Sequence, residues 1–281
     1  MSTGRNRATG WLHAKLSGHE NENDVELLFQ DQTFCDEFSN RLGVGKIVQA
    51  SVGGLKEKDV QSVLGDKTKS KTDLHLVLED GQVINISIKK SSAGQVFLIG
   101  VERFIEGFES HFSCAIPDDV KEALYLFFYG HSETMKILND KSIVGGQNDK
   151  KIKHQRKRNR LTVESLRAYN QSLADSLLQW FIDIRGELAE YCFSLGLALE
   201  ERDWADYVWY INMLGEDDFD EIYSVKDIVK YVAESSDKVF FGNTLGGTTI
   251  QLPFGFVQWH QKQIQFHHKL NKLRELMPDS I

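Results

Sequence analysis

The strongest constraint on the fold is the alternation of apolar and polar residues in residues 72–90, TDLHLVLEDGQVINISIKK. Leucine recurs at every second position before the Asp80-Gly81 pair, and isoleucine does so after it. Because successive side chains of a strand point to opposite faces, each half predicts a strand with one apolar face. The Asp80-Gly81 pair is typical of a turn, so the segment predicts a β-hairpin.

The length of the turn decides which side chains face each other across this hairpin. A two-residue turn would set the leucines opposite the polar residues of the second strand, which is a poor register. A three-residue loop, Asp80-Gly81-Gln82, instead pairs leucines with isoleucines: Leu78 with Ile84, Leu76 with Ile86 and Leu74 with Ile88. This register predicts Asp73 opposite Lys89 and His75 opposite Ser87, with Cβ atoms roughly 5 Å apart.

This arrangement resembles the PD-(D/E)XK motif of type II restriction endonucleases, in which an aspartate on one strand and an acid-x-lysine on the next form the catalytic centre. The matching residues here are Asp73 and Ser87-Ile88-Lys89. A helix predicted to begin near residues 18–22 is similar to the first helix of the family. The resemblance covers residues 15–105 and implies that Glu22 also contributes to the site, with Glu20 and Glu26 as the alternatives.

The resemblance implies a function as well as a site. Asp73, Ser87, Lys89 and Glu22 would form the catalytic group, and Mg²⁺ would be held by Asp73, Glu22 and the main-chain carbonyl of Ile88. Lys89 would contact the scissile phosphate or orient the attacking water. The expected reaction is Mg²⁺-dependent, sequence-specific hydrolysis of double-stranded DNA that leaves 5′-phosphate and 3′-hydroxyl ends. A companion DNA methyltransferase in the host follows from the same resemblance.

Ser87 departs from the family pattern, since it replaces the middle acid of the motif. The substitution weakens or moves one metal ligand, so a noncatalytic DNA-binding protein with the same fold is an alternative. A repair or antiphage nuclease would share the active site and is a second alternative. For Asp73 and Lys89 alone, an ordinary cross-strand ion pair is the competing interpretation.

The fold class expected from this resemblance is α/β, a restriction-endonuclease-like mixed β-sheet core flanked by helices, followed by a helical and aromatic-rich C-terminal half. Residues 150–160 contain seven Lys or Arg and no acid, which marks a change in composition. We divide the chain into a nuclease core (11–145), a basic linker or DNA-contacting loop (146–160) and a DNA-recognition and core-completing region (161–281). The basic segment predicts phosphate contacts from seven residues: Lys150, Lys151, Lys153, Arg156, Lys157, Arg158 and Arg160.

The second half carries further patterns. Residues 161–196 predict one long helix or two shorter ones, and the segments KVFFG, TTIQLPF and FVQWHQ predict short strands. Five glutamines lie among the aromatic residues near the C-terminus: Gln251, Gln258, Gln261, Gln263 and Gln265. Glutamine is a good reader of adenine edges, but the sequence alone assigns no base contacts.

The overall charge and composition of the chain argue against several classes of protein. A formal net charge of -8 argues against a surface coated in positive charge for nonspecific nucleic-acid binding. The three cysteines, Cys35, Cys114 and Cys192, lack the spacing of a zinc site or a disulfide framework and are expected to be reduced thiols. No signal peptide or membrane span is predicted, so the expected location is the cytoplasm without membrane association. A homodimer is one candidate assembly, because palindromic DNA targets accompany symmetric dimers.

Overall fold

The computed structural model describes residues 20–53, 60–214, 219–243 and 246–278. The fold is mixed α/β, as predicted. The predicted start of the first helix, near Gly18 and His19, lies outside the described residues. Within the described residues, all three cysteines are free thiols, and none of the helices is long and apolar enough to cross a membrane.

Twelve strands can be followed along the described chain: β1 (Ile47–Val52), β2 (Val60–Gln61), β3 (Lys67–Thr68), β4 (Leu74–Leu78), β5 (Val83–Lys89), β6 (Ala93–Ile99), β7 (Tyr207–Ile211), β8 (Asp220–Ser224), β9 (Phe240–Phe241), β10 (Thr249–Leu252), β11 (Gly255–His260) and β12 (Gln263–Lys269). The helices of the same residues are α1 (20–28), α2 (Gln32–Leu42), α3 (Val101–Phe112), α4 (Asp118–Phe127), α5 (Thr134–Asn139), α6 (Lys141–Val144), α7 (Asp149–Arg158), α8 (Val163–Tyr169), α9 (Gln171–Asp183), α10 (Arg185–Glu190), α11 (Val225–Ala233) and α12 (Leu270–Leu276).

Two compact units make up the chain, and neither is continuous in sequence. Within the described residues, the first unit comprises residues 20–92 and Phe193–Asp227. The second comprises Ala93–Cys192 and Ile228–Pro278. The units therefore do not follow the boundaries predicted at residues 145 and 160, because spatial neighbours in this chain come from distant parts of the sequence.

The first unit contains a five-stranded sheet in the order β1-β4-β5-β7-β8, with β5 and β7 parallel and the other neighbours antiparallel. The leucines of β4 and the isoleucines of β5 share one buried face, so the predicted leucine–isoleucine face is confirmed. Aromatic and aliphatic residues of α1 and α2 pack against this face, including Val25, Phe38 and Leu42. The alternation seen in the sequence therefore fixes which side of the hairpin is the core.

Strands β7 and β8 complete this sheet from beyond the predicted nuclease core. The ring of Phe38 on α2 lies 4.7 Å from that of Trp209 on β7, and the Trp209 Nε1–H donates to Asp220 at 2.6 Å. Arg41 of α2 also donates to the carboxylate of Asp220, at 2.7 Å. The range 11–145 is consequently too short to contain the whole sheet that carries the hairpin.

The second unit contains a sheet in the order β6-β12-β11-β10-β9, in which every neighbouring pair is antiparallel. The stretch predicted as one or two helices forms three, α8, α9 and α10, followed by a π-helical turn at Tyr191–Leu195. Asn170 separates α8 from α9, since its side chain accepts from the Ser172 N–H at 3.0 Å and caps the new helix. The three predicted C-terminal strands are present as β9, β10 and β11.

Candidate active site

Asp73 lies immediately before β4, at the point where β5 continues past the end of its partner. Its main-chain N–H donates to Ile86 O at 2.9 Å, which continues the ladder between the two strands by one bond. Its carboxylate Oδ2 accepts from the Ile88 N–H at 2.8 Å and from the Ser87 hydroxyl at 3.1 Å. The Asp73 carboxylate thus accepts the hydrogen bond from Ile88 that a main-chain carbonyl would accept if β4 began earlier.

Lys89 lies on the same face of β5 as Ser87, because the two residues are two positions apart. Its ammonium donates to Ser87 Oγ at 2.5 Å and to Ile88 O at 3.4 Å, and Nζ lies 4.0 Å from Asp73 Oδ2. The Lys89 and Asp73 side chains are 17% and 23% exposed, so both are accessible but partly removed from water. A carboxylate, a hydroxyl, an ammonium and a main-chain carbonyl therefore meet where β5, the central strand of the sheet, extends past the start of β4.

The hairpin register differs from the predicted one by two residues. The observed pairs are Leu74 with Ile86, His75 with Asn85, Leu76 with Ile84 and Val77 with Val83. The loop consists of Glu79-Asp80-Gly81, closed by the Leu78 N–H donating to Gln82 O at 2.8 Å. The predicted pairs of Asp73 with Lys89 and His75 with Ser87 are thus wrong, and Asp73 instead faces Ser87. A shift of two keeps the same faces together, so Asp73 and Lys89 still share one side of the sheet.

His75 and Asn85 form the next polar pair on this face. His75 Nδ1 lies 2.8 Å from Asn85 Oδ1, and no hydrogen-bond partner of its Nε2 is found among the described residues. Gly53 lies beside that ring, and a Cβ at this position would approach His75 Nε2 to 2.9 Å. These contacts hold the His75 ring between Asn85 and Gly53.

Helix α1 contributes polar residues to the unit, but the best-defined one is not a glutamate. Asn21 is fully buried, where its amide donates to Ile211 O at 3.2 Å and accepts from the Met213 N–H at 2.7 Å. Glu26 accepts from the Val52 N–H at 3.1 Å, whereas Glu20 is exposed. Glu22 is half-buried, and its role as a metal ligand stays a prediction. Asn21 is not among the residues predicted from the sequence, where its only signal is an amide between two glutamates on a predicted helix.

Asp73 contributes a carboxylate, Ser87 a hydroxyl and Ile88 a carbonyl to this cluster, and oxygen atoms are the ligands that Mg²⁺ prefers. Among the described residues, no group of three or more His, Cys, Asp or Glu side chains is arranged to hold a metal ion. The Ile88 carbonyl points to the same side of β5 as the Ile88 N–H, and hence toward Asp73. Mg²⁺ can bind through one or two carboxylates together with water and substrate phosphates, so the donor set fits a site completed by DNA.

The basic segment is a helix, not the predicted linker or loop. Asn148 caps the start of α7 by accepting from the Lys150 N–H at 2.9 Å, and Asn159 ends it in the left-handed conformation. Ile152 and Gln155 are the buried residues of this helix. The segment therefore has a fixed face directed inward, which a solvated linker would not have.

The predicted phosphate-binding residues of this helix divide into two groups. Three are engaged within the second unit: Lys151 pairs with Glu164 at 3.1 Å, Arg156 donates to Leu138 O at 2.6 Å, and Arg158 lies over the Trp259 ring at 5.1 Å. The other three on the helix, Lys150, Lys153 and Lys157, are exposed and lie on one stripe. Phosphate contacts from these three lysines stay a prediction.

Arg160 is a correction to the predicted set. It is 4% exposed, donates to Thr248 O at 3.1 Å and lies 5.1 Å from the centre of the Phe127 ring. A guanidinium enclosed in this way cannot reach a DNA phosphate, since both its hydrogen bonding and its stacking face inward. Arg160 therefore belongs to the core of the second unit.

Comparison with known proteins gives a similarity to solved structures only. No family model and no curated protein matches the chain. Among solved structures, the chain is similar to the restriction endonuclease MspI in complex with its cognate DNA, with a TM-score of 0.43 and 14% sequence identity. The similarity covers 83% of this chain and 76% of that chain. These values are too low to assign an activity from the comparison.

Proposed function

We propose that this protein is a Mg²⁺-dependent endonuclease that cuts double-stranded DNA at a specific sequence, as type II restriction endonucleases do. The observation that carries the proposal is the cluster of Asp73, Ser87 and Lys89, in which Asp73 Oδ2 lies 3.1 Å from the hydroxyl and 4.0 Å from the ammonium. An isolated surface ion pair would not require a third side chain between its members. Here Ser87, which is 2% exposed, contacts both.

Each group has a defined task in phosphodiester hydrolysis. Asp73 and the Ile88 carbonyl would hold Mg²⁺, with Glu22 as the further ligand that the family resemblance implies. When bound, the ion supplies a Lewis acid for the phosphate and lowers the pKa of water. Lys89 stabilises negative charge on the scissile phosphate or orients the attacking water, and Ser87 holds the Lys89 ammonium in place through their 2.5 Å contact. The products carry 5′-phosphate and 3′-hydroxyl ends.

The stripe of Lys150, Lys153 and Lys157 on α7 supports DNA binding. These exposed ammonium groups provide local positive charge in a chain whose formal net charge is -8. Each phosphate that they contact contributes to affinity through counterion release and makes binding depend on salt. Restriction-type specificity further implies a companion methyltransferase that protects the host, and a homodimer would match a palindromic target.

A noncatalytic DNA-binding protein is the second candidate. Ser87 replaces the middle acid of the motif, and the described residues contain no group of three acids, histidines or cysteines suited to a metal ion. Such a protein would keep the basic stripe and the fold while lacking Mg²⁺-dependent cleavage. A repair or antiphage nuclease would differ from a restriction enzyme only in its substrate specificity.

The decisive experiment incubates unmodified phage and plasmid DNA with the purified protein in Mg²⁺ or in EDTA. Asp73→Asn and Lys89→Met are the test variants, and Lys136→Met is the matched control because Lys136 is an exposed lysine that pairs with Glu133 at the start of its own helix. Discrete fragments that require Mg²⁺, Asp73 and Lys89 support a site-specific nuclease, and sequencing of their ends gives the site. A smear indicates a nuclease without sequence specificity, and binding without cleavage favours the second candidate.

A further inference from the structure

The C-terminal part of the second unit lacks negative charge. Residues 238–274 contain five Lys or Arg and three His but no Asp or Glu, in a chain that has 41 acidic residues against 33 basic ones. Strands β10, β11 and β12 come from this segment, and β6, which pairs with β12, also contains no acid. Four neighbouring strands of one sheet therefore present no carboxylate on either face.

One face of this sheet is polar and accessible. Ile250, Val257, Ile264 and Phe266 point to the buried side. The opposite face carries the alternate residues, including the half-buried Leu98 opposite Gln265. We term its polar and aromatic part the glutamine face: Gln95, Thr249, Gln251, Phe256, Gln258, His260, Gln263, Gln265 and His267. Apart from Gln265, which is 8% exposed, these residues are half-buried or exposed.

Hydrogen bonds join the amides of this face into a row across three strands. Gln258 Nε2 donates to Gln265 Oε1 at 3.0 Å, and Gln265 Nε2 donates to Gln95 Oε1 at 2.9 Å. Gln258 Nε2 also lies 3.2 Å from His267 Nε2. Both N–H groups of Gln258 are thereby used within the sheet.

The row leaves an acceptor at one end and donors at the other. Within the described part of the chain, the Gln258 Oε1 and the Gln95 Nε2 have no assigned hydrogen-bond partner. Because the neighbouring amides fix their orientation, these groups are held ready for a ligand without further loss of side-chain freedom. A merely solvated face would not need such a row.

The histidine of the row is held in its neutral form. Burial, followed by the charge of His260, lowers the pKa of His267 and so favours the neutral ring at pH 7, in which a nitrogen without a proton can accept from Gln258. The His267 ring stacks on Phe256 with centroids 4.3 Å apart and planes 7° from parallel, and Lys269 Nζ lies 5.5 Å from the same Phe256 ring. A flat aromatic surface with a cation beside it thus adjoins the amide row.

The turn between β11 and β12 extends this face beyond the neighbouring strand. Thr249, the first residue of β10, pairs with Gln258, so the pair His260 and Gln263 has no partner on β10. Gln261 and Lys262 form the exposed tip of the turn, with φ angles of 47° and 70°. The pairing of β12 with β6 likewise ends at Ile264, so the pair His260 and Gln263 and the turn extend beyond both neighbouring strands as a two-stranded ribbon. A two-stranded β-ribbon fits the major groove of B-DNA, which is about 12 Å wide.

We infer that the glutamine face, with the β11–β12 turn, reads base edges in the major groove of the DNA that the protein cuts. This inference rests on the proposed function and deepens it by assigning the surface that determines sequence specificity. Amide donors and acceptors match adenine N6 and N7 in the major groove, and histidine and lysine at the turn suit guanine N7 and O6. The lack of carboxylates avoids repulsion by the phosphates on both sides of the groove.

The test separates reading from cutting by selecting bound duplexes from a randomised library in EDTA and in Ca²⁺. The full-length protein is compared with Gln258→Ala, Gln263→Ala and the control Gln179→Ala, an exposed glutamine on α9. The wild type and Gln179→Ala should enrich one base pattern. Gln258→Ala or Gln263→Ala should lose about ten-fold or more of the enrichment at one position, while binding of nonspecific duplex changes by less than about two-fold.

Two results would overturn the inference. Retention of the wild-type pattern by both glutamine variants would place specificity elsewhere, and site-specific cleavage by the wild type would then leave the proposed function standing. Failure of the wild type to enrich any pattern in EDTA or in Ca²⁺ would also overturn the inference, and the cleavage assay would then decide separately whether the proposed function stands. Because Gln263 has no partner within the amide row, Gln263→Ala keeps the row intact and guards against a loss that comes only from misfolding.

Discussion

Ser87→Asp is the substitution that most directly tests the site, because it restores the acid that the family motif has at this position. The Ser87 hydroxyl is 3.1 Å from Asp73 Oδ2 and 2.5 Å from Lys89 Nζ, in a side chain that is 2% exposed. A carboxylate placed there would lie within a few ångströms of both charged groups. Ser87→Asn is the matched control, since it has the same size and no charge.

The expected magnitude follows from these distances. Two carboxylates about 4 Å apart repel by about 4 kcal/mol at an effective dielectric constant of 20. Attraction to Lys89, whose ammonium lies nearer to position 87 than the Asp73 carboxylate does, offsets most of this repulsion, so the remaining penalty comes mainly from burial of the new charge. In EDTA at pH 7 we therefore expect the free energy of unfolding of Ser87→Asp to be about 2–4 kcal/mol below that of Ser87→Asn. Mg²⁺ at a hundred times its Kd should return about 2.7 kcal/mol to Ser87→Asp.

The stability difference between Ser87→Asp and Ser87→Asn should also depend on pH. Repulsion and burial raise the pKa of the added carboxyl in the folded state, so the difference should vanish below the unfolded value of about 3.9 and grow as the pH rises. Urea unfolding followed by tryptophan fluorescence, with and without Mg²⁺, measures the difference. If Ser87→Asp and Ser87→Asn have equal stability and respond equally to Mg²⁺, the cluster does not have the geometry of a metal site.

Three further predictions concern the second unit. Lys153→Ala should reduce the steepness of log DNA affinity against log salt concentration by about one, without loss of stability. Arg160→Ala should leave this salt dependence unchanged but lower the free energy of unfolding by about 2–4 kcal/mol, because it removes the inward contacts of Arg160. Gly255→Ala should lower the free energy of unfolding by at least about 3 kcal/mol or prevent folding, because the added Cβ would overlap the backbone carbonyl of His267. Gly146→Ala is the control and should unfold like the wild type, because a Cβ added there meets no neighbour within 4 Å. Between pH 7 and 5 the wild type should lose more stability than His267→Gln. Burial lowers the pKa of His267 in the folded state, so over this range the unfolded chain binds a proton at His267 more readily than the folded chain does. Equal losses of unfolding free energy in urea titrations of the two proteins would refute this.

The faces of the hairpin could be predicted from the sequence, but its register could not. Face assignment depends only on alternation, which is a local property. The register depends on which loop position the glycine occupies. Gly81 has φ of +86°, and a three-residue loop of the commonest kind has its left-handed residue at the last position. The loop is therefore Glu79-Asp80-Gly81, one residue earlier than predicted.

The partner strands of the hairpin were beyond the reach of local patterns. Strand β7, YVWYI, is a continuous run of apolar and aromatic residues without alternation, as expected for a strand buried on both faces. Its parallel pairing with β5 places Val208 beside Ser87, although more than a hundred residues separate them in the sequence. Charge density was equally uninformative about orientation, because it could not separate the buried Arg160 from the exposed Lys153.

The parallel pairing of β5 with β7 sets the order in which the protein can mature during synthesis. Residues 93–192, the first segment of the second unit, are synthesised before β7. During that time the edge of β5 that will pair with β7 has no partner strand. Exposed strand edges recruit other chains, and long-range pairings of this kind slow folding. A chain truncated after residue 192 would consequently retain Asp73 and Lys89 and yet be expected to aggregate, and efficient production of the protein depends on rapid completion of its last third.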